Sequence, residues 1–319
     1  MGTTTPKVII HGGAGSSLQG KGGVEAVRRL LYGIVERVYG CVTDGGTATE
    51  AVILGCRLLE DEPRFNAGTG SVLQSDGQIR MSAALMDGAA QRFSGTINGS
   101  RIKNPIDVAA FLQGQRDRVL SDVGTAELAR ELGLPIHNPL TDLRLQEWLS
   151  DRKTDFQRRM ASTIAEPAAG PTADDPEAGR GTIGVVVLDS EGRIAAGTST
   201  GGKGFERIGR VSDSAMPAGN YATAVAGVSC TGIGEDIIDE CLAAKIVIRT
   251  GDGLSLAAAF EKSMAEAASR DRDLGAIGLD RRGAIAWGKC SEVLLAAYHT
   301  GDRLGDTLEL PDGLQTGHA

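Results

Sequence analysis

A polar stretch in the middle of the chain constrains the fold more than any other feature of the sequence. Residues 161–181 read ASTIAEPAAGPTADDPEAGRG, a composition that offers little apolar surface to bury. An apolar run, TIGVVVLD, begins immediately afterwards at Thr182. Because a long structureless loop inside one compact domain is unusual, the joint at about 160–181 predicts a flexible linker that contains a processing site.

Strand and helix patterns flank this joint on both sides. A β-hairpin is predicted from TIGVVVLD and RIAAGTST, and a second one from the two halves of LGAIGLDRRGAIAWGKCS. One long helix is predicted over DIIDECLAAKIVIRT. Before the joint, residues 23–40 and 47–61 have the apolar spacing of helices, and a strand at 7–10 is expected to end at the HGGAG loop. Since hairpins indicate antiparallel sheet and helices must cover its faces, the sequence predicts a layered protein of α and β structure whose halves share one core.

Composition and charge exclude several classes of function. The 319 residues are 41% hydrophobic and 23% charged, which is typical of a globular protein. A net charge of −8 argues against a nucleic-acid partner, which requires a basic face. No apolar run approaches the roughly 20 residues of a spanning helix, and no secretory signal is evident, so no membrane association is expected. Five cysteines without CxxC spacing favour a reduced, cytoplasmic protein, and the four histidines form no zinc-binding motif.

Thr182, which follows Gly181, is the candidate with the most specific chemistry. A threonine hydroxyl is a weak nucleophile unless a base lies beside it, and a threonine at a chain's N-terminus carries that base as its own α-amine. The unperturbed pKa of such an amine is about 8. Cleavage before Thr182 would create this nucleophile, and Gly181 has no Cβ to shield its carbonyl from the hydroxyl. The alternative is that Gly-Thr merely opens a buried strand, which threonine favours.

GRVSDS at 209–214 offers two charged groups that suit the head group of an α-amino acid. Arg210 could bind a carboxylate in a bidentate manner, and Asp213 could bind an ammonium. The alternative is an ordinary surface ion pair.

Three glycine-rich motifs could contribute the remaining groups. TSTGG at 198–202 places three hydroxyls at a strand end, and SCTGIGE at 229–235 could form an oxyanion hole from a hydroxyl and backbone N–H groups. The alternative for the second motif is a helix cap. HGGAG at 11–15 lacks the pattern of a phosphate-binding loop, and His11 serves either as a base or to order this loop.

Six motifs in register resemble the plant-type asparaginase/isoaspartyl peptidase family of N-terminal nucleophile hydrolases. They are HGGAG at 11, FNAGTG at 65, GTIG at 181, TSTGG at 198, GRVSDS at 209 and SCTGIGE at 229. The resemblance covers nearly the whole chain and is weakest at 140–178 and after 290. It implies an α+β fold, a four-layer αββα sandwich. It also implies autoproteolysis into an α subunit (1–181) and a β subunit (182–319), which associate as a dimer of αβ pairs.

The resemblance also implies a role for each motif residue. Thr182 would be the nucleophile, Thr200 would tune its hydroxyl and amine, and Thr231 and Gly232 would form the oxyanion hole. The substrate's α-carboxylate and α-ammonium would bind Arg210 and Asp213, with Thr231, Gly232 and Gly234 lining the same pocket. Asn66 would position the scissile peptide, and the loop 11–13 would support cleavage. No cofactor is needed for catalysis, but a structural sodium ion is implied at the backbone carbonyls of Leu59, Glu60, Glu62, Phe65, Ala67 and Thr69.

The implied activity is hydrolysis of L-asparagine to aspartate and ammonia, together with cleavage of β-aspartyl dipeptides. Ser212 departs from the family, which usually has glycine there. KGFERI at 203–208 and the TIGVVV run are similar to lysosomal-type glycosylasparaginases, whereas TSTGG and the glycine before Thr182 are not. Two alternatives follow: a glycosylasparaginase acting on N4-glycosyl-asparagine, and an uncleaved homologue without enzymatic activity.

Overall fold

A computed structural model describes residues 4–15, 18, 21–164 and 181–319, with the backbone alone for 154–164. The central part of the predicted linker, residues 165–180, lies outside the described residues. The C-terminal helix of the first half reaches Ile164 and therefore includes the first residues of the predicted linker.

The larger sheet contains eight strands from both halves of the chain. They are β1 (Lys7–Ala14), β2 (Met81–Asp87), β3 (Arg92–Gly99), β4 (Val119–Ser121), β5 (Ile183–Leu188), β6 (Ile194–Thr200), β11 (Leu294–His299) and β12 (Leu304–Asp306), with β7 to β10 in the second sheet. Their order is β12-β11-β1-β5-β6-β2-β3-β4. The predicted hairpin β5–β6 is therefore central, with β1 and β2 from the first half on its two sides.

Four helices of the first half pack on the outer face of this sheet. They are α1 (Val24–Thr43), α2 (Ala48–Glu60), α3 (Pro105–Leu112) and α4 (Asp122–Glu131), and a fifth helix, α5 (Asp142–Ile164), follows them in the chain. Thr47 caps α2 by accepting from the Glu50 N–H, while the Glu50 side chain accepts from the Thr47 N–H, a capping box. Val35, Val38 and Val52 pack against Val185 and Val187 of the sheet in one buried cluster.

The smaller sheet is built entirely from the second half. Its strands are β7 (Asn220–Ala222), β8 (Ala226–Gly232), β9 (Leu274–Asp280), β10 (Ile285–Lys289) and β13 (Gln315–His318), in the order β13-β10-β9-β8-β7. The helices α6 (Gly234–Glu240), α7 (Leu242–Gly251) and α8 (Leu256–Ala268) belong to the same half, and α7 and α8 cover the outer face of the sheet.

The inner faces of the two sheets pack against each other. Their shared cluster includes Ile9, Val186 and Ile194 from the larger sheet and Ile277 and Leu279 from the smaller one. The layers therefore run helix, sheet, sheet, helix, and the αββα sandwich is confirmed. Among the described residues no helix has both the length and the apolar character that membrane crossing requires.

Two local predictions are wrong. The helix predicted over 236–250 is interrupted at Cys241, which has the left-handed φ of 46°. The N–H groups of Ala243 and Ala244 instead donate to the carbonyls of Ala218 and Pro217, so tertiary hydrogen bonds replace those of a continuous helix. The HGGAG motif does not end β1, which continues to Ala14 with a register shift after His11.

Candidate active site

The hairpin β5–β6 places the Thr182 hydroxyl beside that of Thr200. Because Ile183 pairs with Ser199 in the ladder, the residues just beyond this pair face each other at the strand ends. Thr182 Oγ1 donates to Thr200 Oγ1 at 3.1 Å, and both residues are buried. Thr200 Oγ1 also accepts from the Gly202 N–H at 3.2 Å, which fixes its lone pairs toward the loop.

Asn66 holds the Gly181–Thr182 peptide from the opposite side. Its backbone N–H donates to the Gly181 carbonyl oxygen at 3.2 Å. Its side chain donates from Nδ2 to the Gly202 carbonyl at 2.6 Å, and its own carbonyl accepts from the Gly201 N–H at 2.9 Å. A Cβ on Gly181 would lie 3.2 Å from both the N and the Cβ of Asn66, so this approach favours glycine. The FNAG and TSTGG motifs are thus joined around one carbonyl.

The facing strand β8 brings Thr231 toward the same point. Ser229 of β8 lies against Gly184, and its hydroxyl forms a 2.7 Å hydrogen bond with the Thr198 hydroxyl. Gly184 and Thr198 are each two residues along their strands from Thr182 and Thr200, which is one inward-facing position further into the sheet. Thr231 is the next residue of β8 on that face and is fully buried, and its Oγ1 has no hydrogen-bond partner among the described residues. Such a hydroxyl can donate to an incoming oxyanion without first breaking another bond.

Gly232 makes the turn that follows Thr231. Its φ is 129°, and a Cβ there would come within 2.6 Å of the Asp273 carbonyl oxygen and of Leu274 Cα. Only glycine fits both restrictions, so the motif needs this residue for its backbone conformation.

His11 lies deeper between the sheets, where its Nε2 is 2.9 Å from Ser229 Oγ. Burial lowers the pKa of His11 to about 3, and the nearby backbone of Thr182 only partly opposes this effect. The imidazole is therefore neutral and a very weak base at neutral pH. Of the two interpretations drawn from sequence, this geometry favours the structural one.

The residues predicted to bind an amino-acid head group converge at the end of β8. A Cβ on Gly234 would lie 2.6 Å from an Arg210 guanidinium nitrogen and 2.9 Å from Asp213 Oδ1, so Gly234 lines the space between the two charges. Burial raises the pKa of Asp213 to about 7, against the opposing effect of Arg210, and Asp213 Oδ2 has no partner among the described residues. Ser212, the departure from the family pattern, has φ −83° and ψ 164°, a conformation that does not require glycine, and its buried Oγ has no hydrogen-bond partner among the described residues.

Glu235 was not assigned a role from sequence, although it ends the SCTGIGE motif. Arg210 donates to its two carboxylate oxygens at 2.8 and 2.9 Å, a bidentate pair. Burial raises the pKa of Glu235, but the hydrogen bonds from Arg210 outweigh it and bring the pKa down to about 2. In this state the guanidinium that was predicted to bind a substrate carboxylate is occupied by one from the protein.

The sodium site predicted at the loop after α2 stays a prediction, and what the structure describes here is the backbone conformation of the loop. Gly68 has a φ of 54° and Gly70 a φ of 97°, and a Cβ on Gly70 would approach the carbonyl oxygens of Pro63 and Phe65 to 2.4 and 2.8 Å. The Glu60 carbonyl accepts from the Thr69 N–H at 2.8 Å, which closes the loop. Converging carbonyl oxygens are suitable ligands for a hard monovalent cation.

The Thr182 hydroxyl lies next to the carbonyl of the preceding glycine, at the ends of strands in two stacked sheets. This arrangement is typical of the class of N-terminal nucleophile hydrolases. A family model described as asparaginase matches residues 4–309, and the chain belongs to that family.

Individual relatives match over nearly the full length. The chain is 67% identical to an isoaspartyl peptidase/L-asparaginase of Nostoc sp. over 98% of this chain and 97% of the relative. It is 66% identical to a protein of the same name from Synechocystis sp., over 99% of this chain and 94% of the relative. A plant-type L-asparaginase of Pyrococcus horikoshii is 34% identical over 96% and 98%.

Proposed function

We propose that the protein is a self-cleaving amidohydrolase that hydrolyses L-asparagine to aspartate and ammonia and cleaves β-aspartyl dipeptides. Its relatives from Nostoc sp. and Synechocystis sp. are named isoaspartyl peptidase/L-asparaginase. The observation that carries the proposal is the 3.1 Å pairing of the Thr182 and Thr200 hydroxyls beside a glycyl carbonyl that is held by the Asn66 N–H.

Maturation begins with attack of Thr182 Oγ1 on the carbonyl carbon of Gly181. The Asn66 N–H, 3.2 Å from that oxygen, stabilises the developing negative charge. The C–N bond breaks, the threonine nitrogen takes up a proton, and a glycyl ester remains on Thr182. Water hydrolyses the ester and leaves an α subunit (1–181) and a β subunit (182–319) that begins with a free amine.

Catalysis then repeats this chemistry on the substrate. The new α-amine accepts the proton of the Thr182 hydroxyl, which attacks the side-chain carbonyl of asparagine or of the β-linked peptide. Thr231 Oγ1 and the Gly232 N–H receive the oxyanion. The proton passes to the leaving nitrogen, which departs as ammonia or as an amino acid, and water hydrolyses the β-aspartyl ester. Thr200, hydrogen-bonded to the nucleophile, keeps its hydroxyl oriented.

The head group of the substrate sits between Arg210 and Asp213, with Gly234 as the floor. Its α-carboxylate displaces Glu235 from Arg210, and its ammonium supplies Asp213 with the partner that its buried Oδ2 lacks. A positive charge at this place lowers the pKa of Asp213 and favours the ionised form.

Three further properties belong to the same proposal. A sodium ion would stabilise the loop through the carbonyls of Leu59, Glu60, Glu62, Phe65, Ala67 and Thr69. The αβ units would associate as dimers. The unpaired state of all five cysteines supports a reducing, cytoplasmic location.

Replacement of Thr182 tests the proposal. Thr182→Ala is expected to remain one chain of 33.1 kDa and to release no ammonia from asparagine. Thr182→Ser keeps the hydroxyl and is the matched control, which is expected to mature and retain measurable activity. Intact-mass spectrometry of the unaltered protein should find a chain that begins TIGVVV.

The same preparations separate the alternatives. Active protein with an unbroken backbone at Gly181 would refute the mechanism, and an inactive, uncut chain would identify a homologue without enzymatic activity. A higher kcat/KM on N4-glycosyl-asparagine than on β-aspartyl-leucine would identify a glycosylasparaginase.

A further inference from the structure

A cavity of about 400 Å³ opens beside Arg210, and its role is so far unassigned. Its wall consists of Lys203, the segment 206–210 and Glu235. This segment follows directly on the TSTGG strand end, and Glu206 packs its carboxyl group against Gly202, where a Cβ would overlap it. The cavity therefore adjoins Arg210 of the head-group site, and Glu206 in its wall contacts the glycine that follows the TSTGG strand end.

Positive charge predominates at the cavity mouth. Lys203, Arg207 and Arg210 line it against two carboxyl groups, those of Glu206 and Glu235. Burial raises the pKa of Glu206. Burial opposes ionisation of Glu235 as well, but the hydrogen bonds from Arg210 lower its pKa to about 2 and keep it ionised.

Lys203 is held less closely by Glu235 than Arg210 is. Its Nζ lies 3.7 Å from Glu235 Oε1, whereas Arg210 reaches the same oxygen at 2.8 Å. Its side chain is 55% exposed, so the ammonium can reorient toward a ligand at low cost. Ile208, on the same wall, is 56% exposed and presents apolar surface to the opening.

A β-aspartyl dipeptide carries two carboxylates, one on the aspartyl residue and one on the residue that leaves. Arg210 accounts for the first. We propose that this cavity binds the leaving residue, with Lys203 recognising its terminal carboxylate and Ile208 contacting its side chain. This inference rests on the proposed function and extends it, because asparagine has only an ammonia to release and needs no such subsite.

The competing assignment for Lys203 is that it assists Arg210 on the aspartyl carboxylate, since both cations approach the same oxygen of Glu235. That assignment predicts equal effects on every substrate, because all of them share the aspartyl head group. The two assignments therefore differ in substrate dependence.

The test compares Lys203→Gln with the unaltered enzyme on asparagine, β-aspartyl-leucine and β-aspartyl-leucine amide. The amide lacks only the terminal carboxylate. We expect kcat/KM on β-aspartyl-leucine to fall roughly three- to fivefold, the value of a partly exposed ion pair, and any change on the other two substrates to be much smaller. Lys262→Gln, on the exposed face of α8, is the matched control for loss of one surface charge.

A second variant tests the apolar part of the subsite. Ile208→Ser should reduce the preference for β-aspartyl-leucine over β-aspartyl-glycine roughly threefold, because part of the leucine side chain loses its apolar contact. A Lys203→Gln variant that loses equal activity on all three substrates, or loses none on any, would overturn the inference. The proposed function would still hold in that case, as long as the unaltered enzyme hydrolyses asparagine. An unaltered enzyme that hydrolyses neither asparagine nor β-aspartyl-leucine would instead refute the proposed function.

Discussion

Asp213→Asn separates the contribution of Asp213 to stability from its contribution to substrate binding. Burial raises the pKa of this carboxyl from 3.8 to about 7. A rise of this size corresponds to about 4 kcal/mol of free energy, an order-of-magnitude figure for a buried group. Asparagine has nearly the same shape and carries no charge to desolvate.

The sign follows from proton binding in the two states. Between about pH 4 and pH 7 the unfolded chain releases this proton while the folded chain keeps it, so the free energy of unfolding falls as the pH rises through this window. Above pH 7 both states are ionised and the penalty is constant. The variant lacks this titration, so it should gain stability relative to the parent up to pH 7, by about 2–4 kcal/mol, and then no further.

Urea unfolding at pH 5, 6, 7 and 8 measures this difference. Thr182→Ala is the background for both proteins, so that each unfolds as one uncleaved chain. In the Thr182-containing form, Asp213→Asn is expected to lose affinity for asparagine, because an amide cannot neutralise the substrate ammonium. A variant that is less stable by the same amount at every pH would refute the reasoning, since it would mean that the folded protein holds Asp213 ionised and paired throughout.

Two further substitutions test the packing and the resting state of the site. Gly184→Ala should lower the free energy of unfolding, measured in urea, by about 3 kcal/mol, because its Cβ would overlap the Ser229 hydroxyl. Gly33→Ala, in open space on α1, is the control and should not destabilise the protein. Equal urea midpoints for the two variants would contradict this prediction. Glu235→Gln should lower KM for asparagine about fivefold with little change in kcat, because it removes the negative charge that competes with the substrate carboxylate for Arg210. A higher KM would show instead that Glu235 holds Arg210 in its binding position.

Local patterns in the sequence were sufficient for the framework around the nucleophile. Alternating apolar residues with a short turn specify the β5–β6 hairpin, and hairpin register alone places Thr182 opposite Thr200. Thr47 and Glu50 likewise define the start of α2 by contacts within one turn. These features depend on neighbours in sequence, and the pattern contains them.

Other features depend on how distant segments pack. From the sequence, FNAGTG and GTIG both resemble motifs of one protein family. Only the folded chain shows that the Asn66 N–H donates to the Gly181 carbonyl. The break in the helix at Cys241 could not be predicted from the local pattern. The carbonyls of residues 217 and 218, which accept hydrogen bonds from the N–H groups after the break, lie on another segment of the chain.

The sequence by itself determined which residues have the chemistry to cut an amide bond, and that they fall in two halves around a Gly-Thr peptide. Only the tertiary structure decided their electrical state. The stacking of the two sheets buries His11 and Asp213, which makes the imidazole neutral and the carboxyl reluctant to ionise. It also places Glu235 on Arg210. The physical reason is that a side chain's charge depends on the water and the charges removed from or brought around it, and these are set by contacts between segments far apart in the chain.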